Sequence, residues 1–265
     1  MNVFDELGNY WAEMADKGLM ENQIQFIKNT NPTKGLILDL ACGTGRHLIR
    51  LSKEGYDVVG LDLSSNLLKI AKSRSRKAQL VRGDMRFLPF KPKVFSGAIS
   101  MDTSFGYLPT EQEDMQSLND LQETLSQESK LLIDVFNREQ LMLKYMTKPF
   151  DALKWKFLPA FLKQNRFAKW MLFRFFKWRE YPSFFLLQKR TLESNCEKLH
   201  DLWIIRDKTN DQIKIFNHEV RLYELQQLQG LLENAGFLVN QVYGNYNGKG
   251  FDVASAHLIL VVHKK

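Results

Sequence analysis

The chain has 265 residues and a net charge of +7, and 44% of it is hydrophobic, enough for a sizeable core in one large domain or one domain with an insertion. No run of about 18 uncharged apolar residues occurs, which argues against a membrane-spanning helix. Two cysteines make no disulfide framework, so a reducing, cytoplasmic setting is expected.

The opening "MNVFDELGNYWAEMADKG" has acids and no apolar run, unlike a secretory signal. From Gly35 onward, short apolar runs alternate with helix-like stretches. "GLILDLA" (35–41) reads as a buried strand and "RHLIRLSKEG" (46–55) as a helix stopped by glycine. "DVVGLDLS" (57–64), "AQLVRGDM" (78–85), "FSGAISMD" (95–102) and "KLLIDVF" (130–136) read as further strands. "SNLLKIAKSRSR" and "EQEDMQSLNDLQETLS" read as the helices between them. Such alternation predicts a parallel sheet covered on both faces.

After Phe136 the pattern changes. "KWKFLPAFLKQNRFAKWMLFRFFKWREYP" (154–182) is crowded with aromatics and cations. The window from Lys144 to Arg190 holds twelve basic and two acidic residues, so the rest of the chain is slightly acidic. Stretches 183–194, 197–207 and 211–223 are rich in β formers and separated by polar turns, predicting a three-stranded antiparallel meander. "ELQQLQGLLENAGF" returns to helix, and "LVNQVYGNY" and "AHLILVVHK" close the chain as strands.

Chemistry is expected at the strand ends. "LDLACGTGRH" follows the first strand and opens a helix, where Gly43 and Gly45 let the backbone turn and approach a ligand. The dinucleotide fingerprint needs a third small residue at Leu48, which disfavours NAD. Asp62 ends the second strand, where a carboxylate accepts ribose hydroxyls. "GDM" (83–85) ends the third, and "SMDTSFGYL" (100–108) the fourth. Any one of these could simply cap a helix. Their recurrence at four successive strand ends points to a ligand.

"LDLACGTGRH", "VVGLDLS", "RGDMRFLPF" and "DTSFGYL" resemble the successive motifs of S-adenosylmethionine-dependent methyltransferases with the Rossmann-like fold, and "LENAGF…QVYGNYNG" resembles the closing motif of a small-molecule subgroup. The resemblance covers about 1–140 and 217–265. It implies an α/β fold: a Rossmann-like, seven-stranded, mostly parallel sheet with helices on both faces. An α+β insertion, an amphipathic helix plus a small antiparallel sheet, would follow the fifth strand. The expected division is a helical cap (1–34), a core (35–143 and 222–265) and an insertion (144–221). The implied cofactor is S-adenosyl-L-methionine, with S-adenosyl-L-homocysteine as product.

The resemblance also implies roles. Asp39 would orient the loop near the methionine amino group. Ala41, Gly43 and Gly45 would line the methionine part. Asp62 would take the ribose hydroxyls and Leu63 would pack on adenine. Asp84 and Met85 would meet the adenine edge, and Met101 and Asp102 the sulfonium. Tyr10 and Trp11 would close over the methionine carboxylate, with Arg46 assisting there or making an ordinary helix-face salt bridge. Candidate proton acceptors are His218, Tyr107 and Asp102, each with a structural alternative; the other histidines carry no pattern. No Cys/His spacing suggests a metal.

The methyl acceptor is expected to be a small, apolar molecule bound by the insertion. For the aromatic–basic segment three readings stand: a lid packed on protein, a helix (160–180) at a membrane interface through 155–179, or a nucleic-acid clamp. The second places the protein in the cytoplasm, peripheral at the inner membrane face. The third would make it an RNA methyltransferase, against which the apolar arc is too continuous for an exposed groove. A non-catalytic, cofactor-binding regulator is the alternative outside enzymes.

Overall fold

The computed structural model describes residues 3–15, 20–30, 35–145 and 178–265. Two compact units emerge: Met1–Gln140 with Arg221–Lys265, and Leu141–Val220. The first 34 residues cluster with the first unit.

The first unit begins with α1 (Val3–Ala15), kinked at Gly8, and α2 (Met20–Thr30). The alternating part follows: β1 (Ile37–Leu40), α3 (Arg46–Lys53), β2 (Val58–Asp62), α4 (Ser65–Arg74), β3 (Gln79–Arg82), β4 (Phe95–Ser100), α5 (Glu111–Thr124) and β5 (Leu125–Phe136). Then comes α6 (Arg138–Tyr145), where the first unit gives way to the second. The second unit contributes β6 (Arg179–Glu180), β7 (Phe184–Leu192), β8 (Lys198–Asp207) and β9 (Ile213–Arg221). The chain closes with α7 (Leu225–Asn234), β10 (Phe237–Tyr243) and β11 (His257–Lys264).

Seven strands lie in the order β10-β11-β5-β4-β1-β2-β3. Strands β1 to β5 pair in parallel, and β11 runs antiparallel to both β5 and β10. Adjacent residues point to opposite faces of a strand, and both faces here are buried. Leu38, Val59, Ala98, Leu131 and Leu258 face a core shared with α5 and α7. Their neighbours Ile37, Val58, Ile99, Leu132 and Ile259 face a second core, shared with α2 and α3. This double burial explains why the strands read as continuous apolar runs.

Local chemistry sets the helix starts. Ser64 Oγ accepts the Leu67 N–H at 3.2 Å and caps α4. Thr110 and Glu113 form a reciprocal capping box on α5. Gly60 is forced by packing: a Cβ there would lie 2.6 Å from Cys42 Sγ and 2.8 Å from Leu48 Cδ1. Strand order reverses around β1 and β4, so the carboxyl ends of these strands are where such a sheet binds ligands.

The second unit carries a sheet in the order β6-β7-β8-β9. It has one strand more than the expected meander, because Arg179 and Glu180 pair with Leu186 and Phe185. The helix expected over 160–180 therefore does not reach Glu180; its part before Trp178, with the membrane and nucleic-acid readings of 155–179, lies outside the described residues. Among the described residues no helix is long and apolar enough to cross a membrane.

Candidate active site

The loop after β1 turns through three left-handed residues, Ala41 (φ 55°), Gly43 (φ 55°) and Gly45 (φ 71°). Glycine adopts that conformation without strain, whereas Ala41 bears a cost. The loop is tied to β2 by Cys42 N–H donating to Leu61 O at 3.0 Å. A Cβ on Gly45 would lie 3.1 Å from Ala71 Cβ, so α4 approaches closely there. A Cβ on Gly43 would stand 3.8 Å from Trp11 Nε1 and 3.9 Å from Leu67 Cδ1.

Two buried carboxylates hold this turn. Asp62 Oδ2 accepts the Gly43 N–H at 2.8 Å, and its Oδ1 accepts the Ser64 N–H at 2.8 Å. One side chain thus joins the loops after β1 and β2. Burial pushes its pKa up, opposed by those two N–H groups. Asp39 Oδ2 accepts the Leu48 N–H at 3.2 Å in the first turn of α3. Burial pushes the Asp39 pKa up to about 7, and the charge of Asp62 adds to this, while the Leu48 N–H and Arg46 oppose it.

Helix α1 docks here through Asp5. Its Oδ1 accepts Ser64 Oγ–H at 2.7 Å and Asn66 N–H at 3.0 Å, at the α4 N-terminus where a carboxylate is favoured. The Phe4 ring meets Trp11 and Tyr107 edge-on, both at 5.2 Å between centroids. Trp11 and Tyr107 therefore belong to one aromatic group bordering the Gly43 turn. Tyr10 is buried.

At the other strand ends the expected residues have partners. Asp84 accepts the Arg86 N–H at 3.0 Å and its Nε–H at 3.0 Å, and Arg86 also reaches Glu113. The Arg86 side chain holds the Asp84 carboxyl below the usual range. Met85 packs against the core, while Leu63 is 45% exposed directly after Asp62. Met101 is buried. Asp102 (φ 53°) and Thr103 (φ 57°) are consecutive left-handed residues. The Asp102 carboxylate accepts Gln23 Nε2–H at 2.6 Å and pairs with Arg46, whose Nη1 donates to Ala15 O at 2.7 Å. His47 Nε2 lies 3.1 Å from Gln23 Oε1, and burial lowers its pKa to about 3, so it is neutral.

Beneath this loop sits Asp134 of β5, fully buried. Its Oδ2 accepts the Asp102 N–H at 3.0 Å and the Tyr246 hydroxyl, and its Oδ1 lies 3.1 Å from His257 Nδ1. Burial opposes a charge on His257, but the hydrogen bond and charge of Asp134 leave its pKa raised. Gln23, Asp134, Tyr246 and His257 were not singled out by sequence reasoning. The lone acid within "KLLIDVF" is the one local signal that could have found Asp134.

The structure brings Asp39, Ala41, Gly43, Gly45, Arg46, Asp62, Leu63, Asp84, Met85, Met101, Asp102 and Tyr107 to the carboxyl ends of β1 to β4, with α1 carrying Tyr10 and Trp11. His218 belongs to the second unit, on β9. Its Nε2 is 3.9 Å from Asp201 Oδ2 on β8, and its ring stands edge-on to Trp203 at 4.8 Å. Asp201 also accepts from Gln188 Nε2 at 2.7 Å and Arg190 Nε at 2.9 Å. Burial lowers the His218 pKa, with Asp201 opposing. Among the described residues no group of three His, Cys, Asp or Glu could hold a metal ion.

Comparison with known proteins bears on this geometry. The family described as "Methyltransferase domain" matches residues 37–127. The chain is 21% identical to the "Putative methyltransferase YqeM" of Bacillus subtilis (strain 168), over 99% of this chain and 97% of that protein. It is 42% identical, over 40% of this chain and 41% of the other, to the dTDP-3-amino-3,4,6-trideoxy-alpha-D-glucopyranose N,N-dimethyltransferase of Streptomyces venezuelae. A solved S-adenosylmethionine-dependent methyltransferase from Clostridium acetobutylicum ATCC 824 shares the fold, with TM-score 0.74, 16% identity, and coverage of 99% of each chain.

Proposed function

The chain is an S-adenosylmethionine-dependent methyltransferase of Rossmann-like fold, and from that premise we propose that it methylates a small molecule with a mainly apolar body. One face of the second unit's sheet carries this reading. Phe184, Leu186, Leu199, Ile205, Phe216 and Val220 alternate onto that face as buried apolar residues. Gln188, Arg190, Asp201 and His218 share it as one polar cluster. The apolar side chains are buried, so the reading rests on composition: an apolar lining with one polar cluster is the kind that takes an apolar molecule with one hydrogen-bonding group. The Streptomyces venezuelae relative, whose name gives it a nucleotide-linked amino sugar as acceptor, supports the small-molecule class.

The residues fit the cofactor. The Gly43 turn has no Cβ and runs within van der Waals reach of the Trp11 indole, and Leu63 offers an apolar flank beside Asp62. In this reading Asp62 takes the ribose hydroxyls, Leu63 the adenine face, and Asp84 with Met85 the adenine edge. Ala41, Gly43 and Gly45 line the methionine part, Asp39 faces its amino group, and Tyr10, Trp11 and Arg46 close over its carboxylate. Met101 and Asp102 border the methyl group. The cofactor supplies an already activated methyl, so the chain's task is alignment and exclusion of water. His218, kept neutral by burial, is a proton acceptor for an acceptor that must lose a proton; Tyr107 and Asp102 are the others.

Cofactor labelled in its methyl group, given with a cell extract, is expected to label a fraction soluble in organic solvent. Label in RNA, or RNA retention falling steeply with salt, would favour the nucleic-acid reading instead. Affinity for the cofactor should also depend on pH. Ionised Asp39 attracts the cationic amino group, and its pKa stands at about 7. Raising pH from 6 to 7.5 ionises it, so binding should strengthen by up to about eightfold. Asp39→Asn should bind more weakly and flatten the profile; a flat profile in the parent protein would disprove the role.

A further inference from the structure

The loop between β4 and α5 borders the proposed methyl position and carries Tyr107. Its start is held by Asp134, whose carboxylate accepts Asp102 N–H and whose carbonyl accepts Thr103 N–H, each at 3.0 Å. Its far end is held by Arg221. The Arg221 N–H donates to Gly106 O at 2.8 Å. Its Nη1 donates to Leu108 O at 3.3 Å and Asp114 Oδ2 at 2.5 Å, and its Nη2 donates to Pro109 O at 2.9 Å. Tyr223 Oη donates to the same Asp114 oxygen at 2.7 Å.

The guanidinium is a rigid planar fork, and here its donors are spread over two loop carbonyls and a buried carboxylate. A lysine has one compact ammonium and cannot reproduce that spread. Buried ion pairs stabilise little compared with apolar packing, so their presence calls for a reason beyond stability. The reason lies between the anchored carbonyls. Gly106 and Leu108 flank Tyr107, whose ring meets Phe4, which in turn meets Trp11 beside Gly43. Fixing residues 106–109 therefore fixes one wall of the aromatic group over the Gly43 turn.

We propose that Arg221 is a positioning residue for the cofactor site: it locks the loop so that Tyr107 completes the aromatic closure that retains S-adenosylmethionine. This rests on the reading that the Gly43 turn binds the cofactor. Arg221 is also the first residue of the first unit after the chain returns from the second. The anchor thus sits where the chain re-enters the cofactor-binding unit.

The test uses the full chain and S-adenosylmethionine alone, with dissociation followed by stopped-flow tryptophan fluorescence. Arg221→Lys and Tyr107→Ala are each expected to speed dissociation about tenfold, with the double variant no faster than the quicker single one, because coupled residues are non-additive. Multiplying effects would mean that Arg221 does not act through Tyr107 and would overturn the proposal, as would an unchanged rate in Arg221→Lys. If Arg221→Lys does not fold, Arg221→Gln replaces it; loss of fold in both would assign Arg221 a purely structural role and reject the proposal. Asp62→Ala separates the two layers. If it leaves affinity intact, the site reading itself fails; if it weakens binding while the Arg221 and Tyr107 effects multiply, only this inference fails.

Discussion

Asp62→Ala is expected to weaken S-adenosylmethionine binding by at least about tenfold, measured by calorimetry. The carboxylate accepts the N–H groups of Gly43 and Ser64, so its loss frees two loops at once. The same substitution removes the acceptor proposed for the ribose hydroxyls. A hydrogen bond to a charged group contributes about 1.5–3 kcal/mol, so losing one such contact is enough for the tenfold effect. Asp62→Asn keeps the shape and one acceptor oxygen and should lose less. Because alanine leaves no stranded charge, the variant should remain folded, which a thermal melt checks. Unchanged affinity in the folded variant would refute the role.

Asp134→Ala is expected to destabilise the protein by about 3–5 kcal/mol, the range for breaking a buried charged network. It strips the acceptor from the Tyr246 hydroxyl and the Asp102 N–H, and the partner from His257. At roughly 2–4 °C per kcal/mol for a chain near this size, Tm should fall by about 6 °C or more. Asp134→Asn retains one acceptor and should cost less. A melt within about 2 °C of the parent for Asp134→Ala would show that these groups find other partners. The strained pair Asp102–Thr103 hangs from the same residue through the Asp134 carboxylate and carbonyl. Loss of the carboxylate should therefore also loosen the loop that Arg221 fastens at its other end.

The sequence reading and the structure part company where contacts are distant along the chain. Asp62 was legible because a carboxylate at the end of a buried strand has a local signature, and its bond to Gly43 spans 19 residues within one β–α–β unit. Asp84 was legible as a position, but its side chain is gripped by Arg86, two residues on. His257 carried no pattern, yet it lies beside Asp134, 123 residues earlier, because β11 pairs with β5. Arg221 looked like an ordinary strand residue; its partner Asp114 is 107 residues away. The fourth strand of the small sheet, two residues long, is too short to produce any periodicity.

By itself the sequence determined the alternating architecture, the glycine turn and the acids at the strand ends. These depend on apolar periodicity, on glycine's access to left-handed backbone and on capping, all of which act between near neighbours. Tertiary structure alone decided which acids became structural hubs. Burial in a sheet covered on both faces leaves a carboxylate without water, so it must take donors from whichever strand and loop the topology brings beside it. That is why Asp134 and Asp114, unremarked in the sequence, hold the two ends of the loop bordering the proposed methyl position.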